Sequence, residues 1–127
     1  METWASVPDG TVGTMKVLEM DGPGGGWRVL VPETRRERMR GLRGHRSLSS
    51  REAMFFRRCR GVHTIGMREP ISVLFLDGVM RVIEVRRVRP GRLVWAPHRR
   101  ARHVLECDVG VALRIGDRLR PGAPAAR

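Results

Sequence analysis

A chain of 127 residues is long enough for one domain that buries roughly two-thirds of its unfolded surface. Hydrophobic residues make up 41% of it, but no apolar run approaches the ~20 residues that a membrane-spanning helix needs. The first ten residues, METWASVPDG, lack both a basic start and an apolar stretch, so they do not resemble a signal peptide. We therefore expect a cytoplasmic protein, not bound to membranes, whose Cys59 and Cys107 are thiols. A disulfide between them would require their strands to be neighbours.

The formal net charge of +12 is unevenly distributed along the chain. Residues 35–68 contain eleven Arg and two Glu, a balance of +9, whereas residues 1–34 balance to −3 and residues 69–127 to +6. Arginine pairs with phosphates and releases their counterions, which favours a polyanionic partner. However, Lys16 is the only lysine, so a GC-rich genome also explains the arginines. With three Trp, three Phe and no Tyr, several of them expected in the core, we expect at most weak, non-specific binding of nucleic acid.

The N-terminal part of the chain predicts a tail followed by two strands. Residues 1–13 and 121–127 are rich in Gly, Pro, Ala and Thr without periodicity, which is typical of disordered tails. The remaining residues, 14–120, are expected to form a single domain. Its first strands are 15–20 and 27–32, and the glycines of the DGPGGG segment between them permit a tight reversal.

A short basic helix is predicted after the second strand. Thr34 and Glu37 have the T-x-x-E spacing of a capping box, in which the hydroxyl and the carboxylate accept hydrogen bonds from the first amides of a helix. The helix therefore begins at Thr34 and ends near Gly41 or Gly44. Its inward-facing side chains are predicted to be Met39 and Leu42.

The segment 71–87 is the clearest element of the sequence. Two β-rich runs flank Asp77-Gly78, a dipeptide typical of a two-residue type I′ hairpin turn. The apolar side chains alternate between two faces, with Ile71, Val73 and Phe75 on one and Leu74 and Leu76 on the other. A strand that is apolar on both faces is expected to be covered on both.

Further strands are predicted at 53–56, 62–67, 92–97 and 103–107. Residues 110–117 favour a single helical turn closed by Gly116. Many short strands with turns at intervals of about 8–12 residues are typical of a sandwich or barrel. The sequence therefore predicts a mainly β fold, a small β-sandwich or barrel-like domain with one or two short helices.

Three soft or borderline metal ligands, Cys59, His63 and Met67, are spaced four residues apart. On a regular strand, residues four apart lie ~13 Å from one another, too far to share one ion. Only a bulge or a ligand from another strand would assemble a site, so we expect no metal and no cofactor. Cys59 and His63 also allow a thiolate–imidazole nucleophile, because nearby arginines lower a thiol pKa, but we expect no catalytic residues here.

Glu106 is an acid within the apolar run VLEC, on the same strand face as Val104 and opposite to Leu105. A carboxylate in the core is unfavourable unless it is paired. Arg38 and His63 are plausible partners in a buried pair, whereas an outward-facing glutamate would need none.

The chain contains PETRRERMRGL at 32–42, CRGVHTIGMREPISVLFLD at 59–77 and VLECDVG at 104–110. These segments resemble the domain-of-unknown-function family 192, whose members carry T-x-x-E-R-x-x-G-L, then P-[IL]-D-[IV]-x-F-[IL]-D, then V-L-E-L-x-A-G and a terminal G-D. The resemblance covers residues 32–119. The matching residues are Thr34, Glu37, Arg38, Gly41 and Leu42, then Pro70, Ile71, Val73, Phe75, Leu76 and Asp77, then Val104, Leu105, Glu106, Gly110, Gly116 and Asp117. It implies a small, mainly β sandwich with one or two short helices, and no established reaction, ligand or cofactor.

The sequence departs from the family pattern at several positions. Ser72 replaces the usual Asp of the second motif, Cys107-Asp108-Val109 replaces Leu-x-Ala in the third, and Arg43 replaces a Met after the first. If the family Asp is functional, this chain lacks the carboxylate that the function would use at position 72.

Three hypotheses for the function follow from the sequence. The first is a non-enzymatic binding or accessory protein, acting on a small ligand or a protein partner. Its cleft would be lined by Thr34, Glu37, Arg38, His63 and Glu106. The second is an enzyme that uses Cys59 and His63, and the third is an arginine-driven polyanion binder.

Overall fold

The computed structural model describes residues 15–40 and 48–122, and this part of the chain is mainly β. Its strands are β1 (Lys16–Gly22), β2 (Gly25–Val31), β3 (Glu52–Phe56), β4 (Gly61–His63), β5 (Ile71–Leu76), β6 (Val82–Val88), β7 (Leu93–Trp95), β8 (His103–Cys107) and β9 (Arg120–Pro121), with one short helix, α1 (Arg35–Arg40). Seven strands form a curled sheet in the order β6-β5-β8-β3-β2-β1-β9, and β4 pairs with β7 in a separate ribbon. The predicted fold class is confirmed.

The sheet is apolar on both faces because its central strands alternate between two buried clusters. Every residue of β5 is buried. Ile71, Val73 and Phe75 belong to one cluster, while Leu74 and Leu76 belong to the other. The prediction that this strand is covered on both faces is therefore confirmed. The β4–β7 ribbon covers the first cluster through Val62 and Val94.

The C-terminal segment 116–121 connects the two edges of the sheet. Gly116 donates its N–H to Val82 O at 2.8 Å, at the start of β6, and Leu119 donates to Met80 O at 3.1 Å, in the loop before β6. A few residues later β9 pairs with β1 at the opposite edge. The segment thus closes the curled sheet at one end, and Leu119 is buried in the second cluster.

The predicted hairpin between β5 and β6 is present, but its turn is not of type I′. Asp77 N–H donates to Arg81 O at 3.0 Å and Met80 N–H donates to Asp77 O at 3.1 Å, which is the pattern of a three-residue loop. The left-handed position is occupied by Met80, with φ 69°. Both Val79 N–H and Arg81 N–H donate to Asp77 Oδ1. These hydrogen bonds stabilise a loop that is one residue longer than the predicted two-residue turn.

The predicted capping box forms at the start of α1. Glu37 N–H donates to Thr34 Oγ1 at 3.0 Å, and Thr34 N–H donates to Glu37 Oε1 at 3.1 Å. The prediction that Met39 faces inward is wrong, because its side chain is 60% exposed. The capping contact buries Glu37, and a residue two positions further on lies about 200° around the helix, on the outer side. Leu42, Gly41 and Gly44 lie outside the described residues.

Two further sequence-based predictions are corrected. Of the predicted strand 62–67 only the first two residues belong to β4, because Met67 N–H donates back to Thr64 O at 3.2 Å and closes a turn. The predicted helical turn at 110–117 is instead a loop with turns at both ends. Asp117 N–H donates to Arg114 O at 3.0 Å, while Asp117 Oδ2 accepts from Arg114 N–H at 2.8 Å.

The predicted N-terminal tail, 1–13, lies outside the described residues, as does most of the predicted C-terminal tail. Pro121 and Gly122 are exceptions, because Pro121 pairs with Met20 in the sheet and Gly122 N–H donates to Glu19 O. Within the described residues no helix is long and apolar enough to cross a membrane.

Candidate functional site

The antiparallel pairing of β3 with β8 brings together two arginine-rich segments that are distant in sequence. The segment 57–60, RRCR, follows the end of β3, and the segment 99–102, RRAR, precedes the start of β8. In an antiparallel pair the end of one strand lies beside the start of the other. Cys59 N–H accordingly donates to Arg102 O at 3.0 Å. Six exposed arginines therefore lie at one end of the sheet.

Arg60 connects the two segments through its guanidinium group. Its Nη1 donates to Ala101 O and, at 3.4 Å, to Arg99 O, while Nη2 donates to His98 O at 3.4 Å. Carbonyl oxygens satisfy the donors of Arg60 without cancelling its charge. The group therefore fixes the loop before β8 and still contributes a positive charge.

His103, the first residue of β8, is held by the strand next to it. Its Nδ1 accepts the N–H of Arg58 at 2.9 Å, and its ring lies 5.3 Å from that of Phe55. Burial, followed by the charges of Arg57, Arg102 and Arg58, lowers the pKa of His103. The lowered pKa favours the neutral imidazole. Because Nδ1 accepts a hydrogen bond, the proton of the neutral ring is on Nε2, which can act as a donor.

Arg58 adopts a backbone conformation that arginine rarely takes. Its φ is 53°, in the left-handed region where a Cβ atom crowds the following carbonyl. Glycine or asparagine would occupy this position with less strain. Strained backbone of this kind is often found at functional sites.

A pocket of about 350 Å³ lies at this end of the sheet. Its lining residues are Arg58, Arg60, Gly78, Arg102 and His103, and we call it the arginine pocket. Gly78 comes from the β5–β6 loop, which lies beside the start of β8 because β5 and β8 are neighbours. Among the described residues, the ion pairs join Lys16 with Glu33, Arg28 with Glu19, and Arg86 with Glu84, and none involves an arginine of the pocket.

Asp77 is an acid near this pocket, but its carboxylate is engaged in the loop. Burial alone would raise the pKa of Asp77, whereas hydrogen bonds from Arg81 N–H and Val79 N–H, with the charges of Arg81 and Arg100, lower it overall. Its Oδ1 accepts both of these hydrogen bonds. The charge of Asp77 offsets only part of the positive charge around the pocket.

The predicted cleft is only partly assembled. Thr34 and Glu37 use their polar atoms in the capping box, and Glu37 Oε1 accepts a further hydrogen bond from Glu33 N–H at 2.8 Å. His63 is exposed at the end of β4, in the separate ribbon. Its Nδ1 accepts the N–H of Ile65 at 3.2 Å, so this nitrogen stabilises the turn that follows the strand.

Arg38 and Glu106 both lie close enough to Cys59 for their charges to act on its thiol. Glu106 is 4% exposed, on the same sheet face as its cross-strand neighbours Met54 and Val73, as its position in the sequence predicted. Burial raises the pKa of Cys59, the charge of Arg38 lowers it, and that of Glu106 raises it. Arg38 also lies over the ring of Phe56, with Cζ 5.8 Å from the centroid.

The chemistry expected of a nucleophilic cysteine is not favoured by these surroundings. The Cys59 thiol donates to Gly61 O at 3.1 Å, and its raised pKa disfavours the thiolate. Cys107 is fully buried, and burial raises its pKa further still. The two free cysteines pack in different clusters, Cys59 against the first and Cys107 within the second. No group of three potential metal-ligating His, Cys, Asp or Glu side chains occurs in the described ranges.

The sequence contains a signal for the arginine pocket that a position-by-position interpretation overlooks. The pattern R-R-x-R occurs four times, at 35–38, 57–60, 86–89 and 99–102. The copy at 57–60 directly follows one predicted strand, and the copy at 99–102 directly precedes another. These two segments come together only because their strands pair, and the order of strands in a sheet cannot be predicted from either segment alone.

Comparison with known proteins supports the fold and leaves the function open. The chain is similar to the crystal structure of a protein of unknown function from Novosphingobium aromaticivorans, with a TM-score of 0.70 and 20% identity over 87% of this chain and 89% of that one. It is also similar to a structure from Sinorhizobium meliloti that carries the name "putative transcription regulator", with a TM-score of 0.62 and 19% identity over 83% of this chain and 92% of that one. No curated protein sequence matches. Residues 16–121 match a family described as Uncharacterized ACR, and the chain therefore belongs to DUF192, the domain-of-unknown-function family 192.

Proposed function

We propose that the chain is a non-enzymatic binding protein that holds an anionic ligand in the arginine pocket. The observation that supports this function is the convergence of Arg58 and Arg102 beside His103 around a cavity of about 350 Å³. Guanidinium groups present a planar set of donors that match phosphate and carboxylate oxygens. The Nε2–H of His103 would add a neutral donor to the same site.

The energetics of the pocket favour an anion as its occupant. The arginines of the two segments repel one another, and the fold bears this repulsion together with the backbone strain at Arg58. An anion between Arg58 and Arg102 would offset the repulsion. The ligand would then stabilise the folded protein increasingly as its concentration rises above the dissociation constant.

The experiment measures unfolding temperature as inorganic pyrophosphate is added at constant ionic strength, with chloride as the reference salt. We expect pyrophosphate to stabilise the wild type, by ~2.7 kcal/mol at a hundred times the dissociation constant. Arg58→Asn and Arg102→Gln should each raise the pyrophosphate concentration needed for the same stabilisation at least tenfold. Arg87→Gln is the matched control, because Arg87 is an exposed strand residue outside the pocket.

The Arg58→Asn variant separates binding from stability. Because asparagine tolerates a positive φ better than arginine does, the ligand-free variant should be as stable as the wild type or more so, although it binds pyrophosphate more weakly. Equal stabilisation by chloride and pyrophosphate, or full binding by both pocket variants, would contradict the proposed function.

A further inference from the structure

Trp95 is a large aromatic side chain that the fold leaves exposed. Its side chain is 68% exposed, whereas Trp27 is 1% exposed in the core. The sequence led us to expect too few exposed aromatic rings for single-stranded nucleic acid. Trp95 on β7 alters that expectation, because its neighbour Val94 faces the core and the indole faces outward.

The indole of Trp95 is supported on one side by a glycine of the neighbouring strand. Gly61 on β4 pairs with Trp95, and a methyl group at Gly61 would lie 2.6 Å from Cζ3 of the ring. The ring therefore lies against the Gly61 backbone, in a position that any larger residue would displace. A planar ring that is held on one side and open on the other is ready to stack with a base, since every base has a π-face.

The ring and the arginine pocket are adjacent in the structure. Gly61 directly follows Arg60, which lines the pocket, and Ala96 N–H, next to Trp95, donates to Arg60 O at 2.7 Å. The pocket is also flanked by further exposed arginines. These are Arg57, Arg99 and Arg100. They provide more positive charge than one phosphate requires, and a strand carries one phosphate per nucleotide.

We propose that the ligand of this site is a single-stranded nucleic acid, with backbone phosphates at the arginine pocket and one base stacked on Trp95. This inference rests on the proposed function and names its ligand class. Stacking is sequence-tolerant and arginine contacts with phosphates carry no sequence information. The binding is accordingly without sequence preference and strongly dependent on salt.

The test is fluorescence anisotropy of a labelled oligothymidylate of about twelve nucleotides, with the full chain at several salt concentrations. Trp95→Ala should weaken binding roughly 5- to 150-fold, the effect of losing one base–aromatic stack. Trp95→Phe should retain part of the affinity. Gly61→Ala keeps the indole but displaces it, so it should weaken binding as well. Arg102→Gln should reduce the slope of log affinity against log salt by about one.

Inorganic polyphosphate is the matched probe, because it presents phosphates without bases. Its affinity should be unchanged by Trp95→Ala and reduced by Arg102→Gln. If Trp95→Ala leaves oligothymidylate affinity unchanged, or if thymidine monophosphate or a duplex binds as tightly as the strand, the inference is overturned. In those cases, retained binding of pyrophosphate would still support the proposed function. If the protein bound none of the tested anions, both the proposed function and this inference would be overturned.

Discussion

The Cys59 thiol is influenced by one positive and one negative side chain, and its pKa depends on both. Burial raises the pKa of the thiol, and the charges of Arg38 and Glu106 then act in opposite directions. Arg38 belongs to α1 and Glu106 to β8. The pKa of the thiol therefore depends on the position of the helix relative to the sheet. Cys59 is partly buried against the first apolar cluster, where charges are screened less than at the surface.

Substitution of either charged neighbour should shift the pKa of Cys59 in a predictable direction. Glu106→Gln removes a negative charge, so the thiol pKa should fall, while Arg38→Gln should raise it. The measurement is the pH dependence of alkylation by iodoacetamide, in which buried Cys107 contributes little. Shifts of the same sign in both variants would contradict the arrangement. Glu106→Gln should also lower the free energy of unfolding, because it removes the charge of a side chain that is only 4% exposed and leaves the groups that interact with this charge unsatisfied.

Two departures from the family pattern are neighbours in the structure. Ser72, which replaces the family Asp, is the cross-strand partner of Cys107, which replaces a Leu. Both side chains are buried. A carboxylate at position 72 would be unfavourable beside the apolar residues of the second cluster. The hydroxyl of Ser72 and the thiol of Cys107 are both uncharged, so they avoid this cost. The departure at residue 72 therefore lies away from the arginine pocket and affects the packing of the sheet.

At the scale of the element, α1 depends on its cap more than on its length. The helix has six residues, too few to be stable alone. Thr34→Ala should lower the free energy of unfolding by about 1 kcal/mol, because the amide of Glu37 loses its acceptor. The measurement is denaturant unfolding, in which the midpoint should fall while the dependence of the free energy on denaturant concentration stays unchanged. Thr34→Ser, which keeps the hydroxyl, is the control, and an equal loss in both variants would point to the methyl group instead.

The elements that local chemistry determines could be predicted from the sequence, and those that depend on tertiary contacts could not. The capping box and the alternation in β5 follow from residues that are close in sequence. The Asp77 loop was located correctly, but Asp77 accepts two backbone hydrogen bonds and selects a longer turn than the Asp-Gly pair predicts. The end of β4 at His63 depends on the turn that Met67 N–H closes and also on a distant contact, since Thr64 Oγ1 donates to Arg89 O at 2.7 Å.

At the scale of the whole molecule, the candidate site depends on the order of the strands. β3 lies between β2, to which it is parallel, and β8, to which it is antiparallel. Neither pairing is made by a hairpin, so hairpin rules do not predict them. The segments 57–60 and 99–102 meet only because of this order, which is why the sequence indicated a basic protein but did not predict that these arginines converge.

Closure of the sheet by residues 116–121 gives the last prediction. Gly116 has φ 97°, and a methyl group added there would have no atom of a non-adjacent residue within 4 Å, so Gly116→Ala tests backbone conformation alone. We expect a loss of ~1–2 kcal/mol, measured by the denaturant midpoint. Gly26→Ala is the matched control, because Gly26 also has open space around it but lies in β2 without a positive φ.

Hydrogen exchange then distinguishes closure of the sheet from a local effect on the turn. Val82 N–H donates to Asp117 O at 2.8 Å at one edge, and Gly122 N–H donates to Glu19 O at 3.2 Å at the other. If the segment closes the sheet, Gly116→Ala should accelerate exchange of both amides, ahead of those in β3 and β8. Acceleration at Val82 alone would mean that the two edges open independently. The curl of the sheet would then be maintained by the buried clusters, and above all by Leu119 packed against Trp27 at Gly22.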